Sequence, residues 1–181
     1  MLEDMSRFLI NVDGLNVVIR KVCKKDLDKI KNLIDSCFSN WHAYYAKRGL
    51  KNHEVYVAEV CNDVVGFIEF KVVNIGIDVG HIYYMCVRRD FRGRGIGRRL
   101  VEYCENVFKS RDVSAIIATT QEYNIPVINL FKKLGYLIVD WYTAYRILKN
   151  IGANIEDEYD LMWKIYDYDD LVLLKVLKQP S

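Results

Sequence analysis

The sequence predicts a single α/β domain of 181 residues, in which a mixed central sheet carries helices on its faces. Three observations support this fold class. Segments rich in β-branched and aromatic residues alternate with segments of helical period. The dipeptides Asp13-Gly14 and Asn62-Asp63 each mark a tight turn between two such strands. The nearly continuous apolar run Val113–Thr119 is typical of a central strand that is buried on both faces.

The first half of the chain is predicted to contain most of the strands. A helix capped by Asp26 follows the first hairpin, because Leu27, Ile30 and Leu33 recur on one helical face. Trp41–Lys51 is aromatic and irregular, which leaves a second short helix or a loop over a pocket as alternatives. The predicted strands are Phe8–Val12, Leu15–Val22, Val55–Val60, Val64–Val73 and His81–Val87.

The second half is predicted to be richer in helix. One helix begins at Ile96, with Arg98 and Glu102 as an exposed i,i+4 pair. Another is opened by Pro126 and closed by Gly135. An additional helical insert is expected at about 143–170, split near Gly152. The strands Val113–Thr119, Tyr136–Tyr142 and Leu171–Leu177 complete a mostly antiparallel sheet of about seven strands.

Charge and composition exclude several classes of function. The net charge of +2 is too small to indicate nucleic-acid or membrane binding. The five cysteines form no C-x-x-C pair and the three histidines are scattered, so no metal site is predicted. The cysteines are expected to be separate, mostly buried thiols. With an acidic N-terminus that does not resemble a signal peptide, the protein is expected to be cytoplasmic.

The stretch from Val87 to Gly97 joins a predicted strand to a predicted helix and is rich in arginine and glycine. Glycines allow a tight turn, and a helix N-terminus directs free N–H groups at one point, which favours a phosphate or pyrophosphate ligand. No Lys-Ser or Lys-Thr follows, so this is no P-loop, and Arg98 replaces the third glycine of a dinucleotide fingerprint. Arg92, Gly95 and Gly97 match the pattern R-x-x-G-x-G.

This pattern resembles the acyl-CoA-binding motif of the GNAT superfamily of acetyltransferases. A second segment, Asn124–Tyr136, resembles the family's asparagine, helix and Gly-Tyr element, and the resemblance extends over roughly 17–142. Gly80-His81-Ile82 is similar to the corresponding segment of protein N-terminal acetyltransferases of the ribosomal-protein-alanine type. The resemblance implies a GNAT fold, with the sheet splayed between strands 81–87 and 113–119 to admit acetyl-CoA, the co-substrate.

The resemblance also implies which residues bind that co-substrate. Backbone N–H groups of the loop would hold the pyrophosphate, and the end of the preceding strand would pair with the pantetheine arm. Phe131 stands where many family members have a tyrosine that protonates the leaving thiolate. The implied binding residues are Met85, Cys86, Val87, Arg92, Gly93, Arg94, Gly95, Ile96, Gly97, Arg98, Asn124 and Phe131.

Two residues are candidates for the base that deprotonates the acceptor amine, because a base works best with a pKa near the operating pH. His81 opens the strand that leads to the loop, and Glu69 lies among apolar residues that would raise its pKa. The alternatives are a capped or surface histidine and a solvent-facing glutamate on an alternating strand.

An amine N-acetyltransferase is therefore the predicted function, with a protein or peptide N-terminus as the leading acceptor. Lysines, small amines and polyamines are the alternative acceptors. A non-catalytic acyl-CoA-binding module is the alternative that Phe131 suggests, and a nucleic-acid-binding domain is the alternative that the arginines suggest. The acidic insert at about 143–170 would serve as a lid over a cationic acceptor, as a homodimer contact or as a solvated excursion.

Overall fold

The computed structural model describes residues 7–178. Within that range the chain forms eight strands and six α-helices. The strands are β1 Arg7–Val12, β2 Leu15–Lys21, β3 Glu54–Val60, β4 Asp63–Asn74, β5 Asp78–Val87, β6 Ala115–Thr120, β7 Leu137–Val139 and β8 Leu171–Val176. The helices are α1 Leu27–Cys37, α2 Asn40–Gly49, α3 Ile96–Ser110, α4 Ile125–Lys133, α5 Trp141–Asn150 and α6 Glu158–Ile165.

The strands form one sheet in the order β1-β2-β3-β4-β5-β6-β8-β7. β5 and β6 are parallel, whereas β1–β2, β2–β3, β3–β4, β6–β8 and β7–β8 are antiparallel. The predicted mixed, mostly antiparallel sheet is thus confirmed, with eight strands in the described chain instead of about seven. Register pairs between β5 and β6 cover Val79–Ile82 and Ala115–Ala118, while β5 continues to Val87. The pairing of β5 with β6 thus ends before β5 itself does, in agreement with the predicted splay between these two strands.

Several element boundaries differ from the sequence prediction. The strand predicted over Tyr136–Tyr142 is wrong beyond Val139, because the Asp140 carboxylate accepts a hydrogen bond from the Thr143 N–H at 2.6 Å and thereby caps α5. The helical insert consequently begins at Trp141. The alternatives for the aromatic segment 41–51 are resolved in favour of a helix, α2.

The chain divides into two compact units, each assembled from two segments. The first comprises 7–70 and 83–104 of the described residues, and the second comprises 71–82 and 105–178. In the first unit, the buried faces of α1 and α2 pack against β3 and β4 through Ile30, Leu33, Ala46, Val57 and Phe67. In the second unit, α5 and α6 pack against β6 and β8 through a separate core that consists of Ile117, Val172, Leu174, Trp141, Ala144, Leu148, Leu161 and Ile165.

A charged network joins β2, β3 and the turn before α1 in the first unit. The Arg20 guanidinium donates to Asp26 at 2.7 and 3.0 Å and to Glu59 at 2.5 and 3.0 Å. Both carboxylates are buried. The hydrogen bonds from Arg20, helped by those from Cys23, outweigh burial and hold the pKa of Asp26 well below its usual range. The stabilisation is therefore complete above about pH 4 and is lost as the pH falls through the folded-state pKa.

Replacing Asp26 with asparagine should destabilise the first unit, because Arg20 would lose the charge of one of its two buried partners. Removing one partner of a buried pair costs about 3 kcal/mol of unfolding free energy. Asp28→Asn is the matched control, since this side chain is exposed and pairs only with Lys31 across the surface at 3.3 Å, and such changes cost about 0.5 kcal/mol or less. Urea unfolding at pH 7 measures both, and equal losses would contradict a structural role for the network.

Candidate functional site

The loop between β5 and α3 is built to present backbone N–H groups. α3 begins at Ile96 and is 15 residues long, and the first N–H groups of any α-helix have no acceptor inside the helix. Gly93 and Gly95 have φ angles of +76° and +83°, which other residues adopt only with strain. The Arg92 Nε donates to the Val87 carbonyl at 2.8 Å and folds the loop back onto the strand end. Such a helix N-terminus suits a pyrophosphate.

Three arginines around this loop are already engaged with carboxylates. Arg88 donates to Asp63 at 2.6 Å and to Asp90 at 2.8 Å, and both Arg98 and Arg99 pair with Glu102. The predicted Arg98–Glu102 pair is therefore confirmed. These pairs reduce the positive charge of the arginine cluster. The remaining attraction for an anion comes from the helix N-terminus, the exposed Arg94 and the other exposed loop arginines.

The end of β5, predicted to pair with the pantetheine arm, alternates in burial. Cys86 is buried, whereas Met85 and Val87 are partly exposed. The Sγ atoms of Cys86 and of Cys37, at the end of α1, are joined in a disulfide. The expectation of five separate thiols is therefore wrong for this pair, and it is also wrong that the others are mostly buried, because Cys23 and Cys61 are exposed.

Glu69, one of the two predicted bases, is fully buried on β4. Its Oε1 lies 2.6 Å from the Nδ1 of His53, and its Oε2 has no hydrogen-bond partner in the described chain. Burial raises the pKa of Glu69, against the lowering effect of the His53 hydrogen bond. The alternative of a solvent-facing glutamate is therefore wrong. His53 stacks in turn on Tyr83, with ring centroids 4.3 Å apart and planes 15° apart.

The backbone of α2 leaves no spare room beside this pair. A Cβ atom on Gly49 would lie 1.9 Å from the Glu69 Oε1 and 2.8 Å from the His53 Nδ1. Only a residue without a side chain allows the end of α2 to pass this close. Sequence reasoning missed His53, because it stands alone just before a strand, and only the register between β3 and β4 places it beside Glu69.

His81, the other predicted base, lies in the second unit and is also fully buried. Its Nε2 is 3.3 Å from the Oδ2 of Asp167, which also accepts a hydrogen bond from the Thr119 hydroxyl at 2.5 Å. Burial would raise the pKa of Asp167, but these two donors and a backbone N–H outweigh it and lower the pKa. The contacts of His81 thus tie the segment after α6 to β5 and β6.

The second GNAT-like element, 124–136, forms α4 and its flanks as predicted. Asn124 lies directly before α4, and its Nδ2 donates to the Thr120 hydroxyl at 3.1 Å. Phe131 is buried, with its ring edge-on to Tyr136 at 4.8 Å. A phenylalanine has no proton to give to the leaving thiolate. The hydroxyl of the exposed Tyr123 already donates to Gln121.

Residues 7–178 contain neither a metal-binding cluster nor a helix suited to a membrane. Among them, no three His, Cys, Asp or Glu side chains are grouped so as to hold a metal ion. In the same residues, no helix combines the length and the apolar character that crossing a membrane requires.

Comparison with known proteins shows a match to one family. The model of the Acetyltransferase (GNAT) family matches residues 27–136. An N-alpha-acetyltransferase of Sulfurisphaera tokodaii is 28% identical over 159 residues, which cover 81% of this chain and 92% of that protein.

Two solved structures illustrate the shared fold. A chain of the NatC complex bound to Gag peptide and CoA matches with a TM-score of 0.65 and 19% identity, over 90% of this chain and 99% of that one. Arabidopsis thaliana Naa50, in complex with the bisubstrate analogue CoA-Ac-MVNAL, matches with a TM-score of 0.60 and 20% identity, over 89% and 99%. At these identities the likeness establishes the fold.

Replacing Gly95 with valine should weaken CoA binding at least about tenfold, which corresponds to about 1.4 kcal/mol. The branched side chain is strained at a φ of +83° and crowds Val12, so the loop amides must move. Gly14→Val is the matched control, because Gly14 has a φ of +75° in the β1–β2 turn. Calorimetric titration with CoA checks both variants. Equal affinities of the Gly95 variant and the wild type would contradict the role of the loop.

Replacing Glu69 with glutamine should change how stability depends on pH. The folded protein has a raised Glu69 pKa, whereas an unfolded glutamate titrates near about 4.3. The unfolded chain therefore ionises first, and the wild type loses stability as the pH rises from about 4 through the folded-state pKa. Glutamine does not ionise, so the variant should gain stability relative to the wild type over the same interval. Denaturant unfolding from pH 4 to 8 measures this, and parallel profiles would refute it.

Proposed function

The chain belongs to the GNAT acetyltransferase family, and from this premise we propose that it acetylates the α-amino group of a protein or peptide N-terminus. One observation carries the proposal. The N-alpha-acetyltransferase of Sulfurisphaera tokodaii matches over 81% of this chain and 92% of its own length. The presence of peptide-derived ligands in the two similar structures supports the same acceptor class.

The chain's own residues suit the donor half of the reaction. When bound, acetyl-CoA supplies an acetyl group that is activated as a thioester. The N–H groups from Arg92 through Arg98 would bind its pyrophosphate at the positive end of α3. The end of β5 at Met85–Val87 would align the pantetheine arm, and Asn124 would donate a hydrogen bond to it. Fixed amides near the end of β5 also favour the oxyanion that develops during transfer.

Four carboxylates of the acidic insert are engaged within the insert and its neighbours, so these four contribute little to the choice of acceptor. Asp157 caps α6 by accepting from the Asp160 N–H, and Asp160 pairs with Lys164 at 2.9 Å. Asp167 contacts His81, and Asp170 accepts from the Glu122 N–H. A lid that attracts cations needs uncommitted carboxylates. The N-terminal acceptor is therefore proposed on the similarity of the whole chain.

Mass spectrometry of acetylated products tests the proposal. The wild type and acetyl-CoA would be incubated with peptides that each carry a free α-amine and an internal lysine, with the same peptides blocked at the N-terminus, and with polyamines. Acetylation should occur at the free α-amine, and blocking it should abolish the product. The Gly95→Val variant is the control for enzyme-dependent transfer. Acetylation confined to lysine, to polyamines or to no acceptor at all would overturn the proposed acceptor.

A further inference from the structure

Both residues that the sequence nominates as the base are inaccessible. Glu69 and His81 have relative exposures of 0%, so an amine arriving from solvent cannot contact either side chain directly. A base must come within about 3 Å of the proton that it removes, or act through one water. The side chain of His53, bonded to Glu69, is 19% exposed. Of the two members of this pair, the imidazole is the one that reaches the surface.

Two contacts hold the His53 ring, and a third holds its backbone. The Glu69 Oε1 fixes its Nδ1 at 2.6 Å, and Tyr83 covers one face of the ring at 4.3 Å. The His53 N–H donates to the Gly49 carbonyl at 2.8 Å, which fixes the backbone at the end of α2. A carboxylate can only accept, so an ionised Glu69 makes Nδ1 the donor and leaves the lone pair on Nε2. An oriented nitrogen with a lone pair, on a side chain that reaches the surface, is what a general base requires.

The position along β5 also fits. Tyr83 and Met85 are two residues apart, so their side chains lie on the same face of the strand, about 7 Å apart along it. Met85 begins the three-residue edge to which the pantetheine arm is predicted to bind. His53 therefore lies against the strand just before the segment that would carry the thioester.

We propose that His53 is the catalytic base of this acetyltransferase and that Glu69 is the residue that positions it. This inference rests on the proposed function in one respect, since it requires that the acceptor is an amine and that this amine arrives as an ammonium. It does not depend on whether that amine belongs to a protein N-terminus. Hydrolytic and transfer enzymes of unrelated folds use the same arrangement, in which a buried carboxylate orients the imidazole of a more accessible histidine.

The proton balance is as follows. The His53 Nε2 accepts one proton from the acceptor ammonium and becomes an imidazolium beside Glu69. The neutral amine then forms a C–N bond to the thioester carbonyl carbon, and the C–S bond breaks with its electron pair on sulfur. The second proton leaves the nitrogen and ends on the CoA thiolate, which gives the amide and the free thiol. His53 returns its proton to solvent through its exposed edge.

The first test needs no substrate. Nitrogen-15 NMR of the histidine rings at about pH 9, where an ordinary imidazole is neutral, reports which ring nitrogen carries the proton. The proposal expects His53 to be protonated at Nδ1 and bare at Nε2 in the wild type. Gly49→Ala should disturb this tautomer, because the added methyl displaces the Glu69–His53 contact. A wild-type His53 protonated at Nε2 would overturn the proposal whatever the protein acetylates.

The second test compares pH–rate profiles of kcat/KM for the acceptor found by mass spectrometry. His53→Gln should lower kcat/KM about 100-fold and remove the acidic limb of the profile, while CoA affinity by calorimetry stays unchanged. Glu69→Gln should lower kcat more than it raises KM. His42→Gln, which removes a partly buried α2 histidine edge-on to Tyr84, is the matched control and should retain the wild-type profile.

Chemical rescue separates catalysis from structure. His53→Ala should regain activity when imidazole is added, with a pH dependence set by the added base, whereas a residue needed only for folding would not be rescued. If the wild type is active and the pH–rate profile of His53→Gln keeps its acidic limb, His53 is not the base. That result would leave the assignment as an acetyltransferase unaffected. A wild type that acetylates only lysines or polyamines would refute the proposed acceptor, and the same kinetic comparison on those amines would still decide the role of His53.

Discussion

The hairpin of β3 and β4 contains one irregularity on which the arrangement of the candidate base depends. Near the turn Val60 lies opposite Asp63 and Glu59 opposite Val64, but the next pair is Ala58 with Gly66, so Val65 is an extra residue on β4. An extra residue reverses which side chains share a face for the rest of the hairpin. The carbonyl of Val65 is used elsewhere, since it accepts a hydrogen bond from the Arg88 N–H at 2.8 Å.

The consequence reaches Glu69. With a regular hairpin this glutamate would lie opposite Glu54, and two carboxylates would face one another. With the bulge it lies opposite Val55, and His53, two residues before Val55, falls on its face. The same bulge therefore removes a like-charge pair, creates the imidazole–carboxylate pair and anchors the start of the loop between β5 and α3. Bulges are common beside active sites for this reason, because they redirect side chains.

The sequence contained enough information for the fold and for the loop, but not for the base. Gly93, Gly95 and the helix from Ile96 are local features, and their chemistry can be inferred from a dozen adjacent residues. The partner of Glu69 depends on the register between β3 and β4, which the bulge changes by one residue. No local pattern in the sequence of β4 predicts this bulge. The predicted strand beyond Val139 was wrong for a related reason. Its apolar residues favoured a strand, but the hydrogen bond from the Thr143 N–H to the Asp140 side chain starts a helix there.

Two imidazole–carboxylate pairs occur in the described chain, and their opposite burial argues for opposite roles. In the second unit the imidazole of His81 is fully buried, and Asp167 is 17% exposed and accepts from His81, Thr119 and the Tyr168 N–H. Against the effect of burial, the His81 side chain, the Thr119 hydroxyl and the Asp169 N–H lower the pKa of Asp167, so this carboxylate holds the segment after α6 in place. In the first unit Glu69 is the buried member, has a single donor and a raised pKa, and the imidazole reaches the surface. The orientation of the His53 ring therefore depends on its contact with the Glu69 carboxylate and on its stacking against Tyr83, and an oriented imidazole at the surface suits proton transfer.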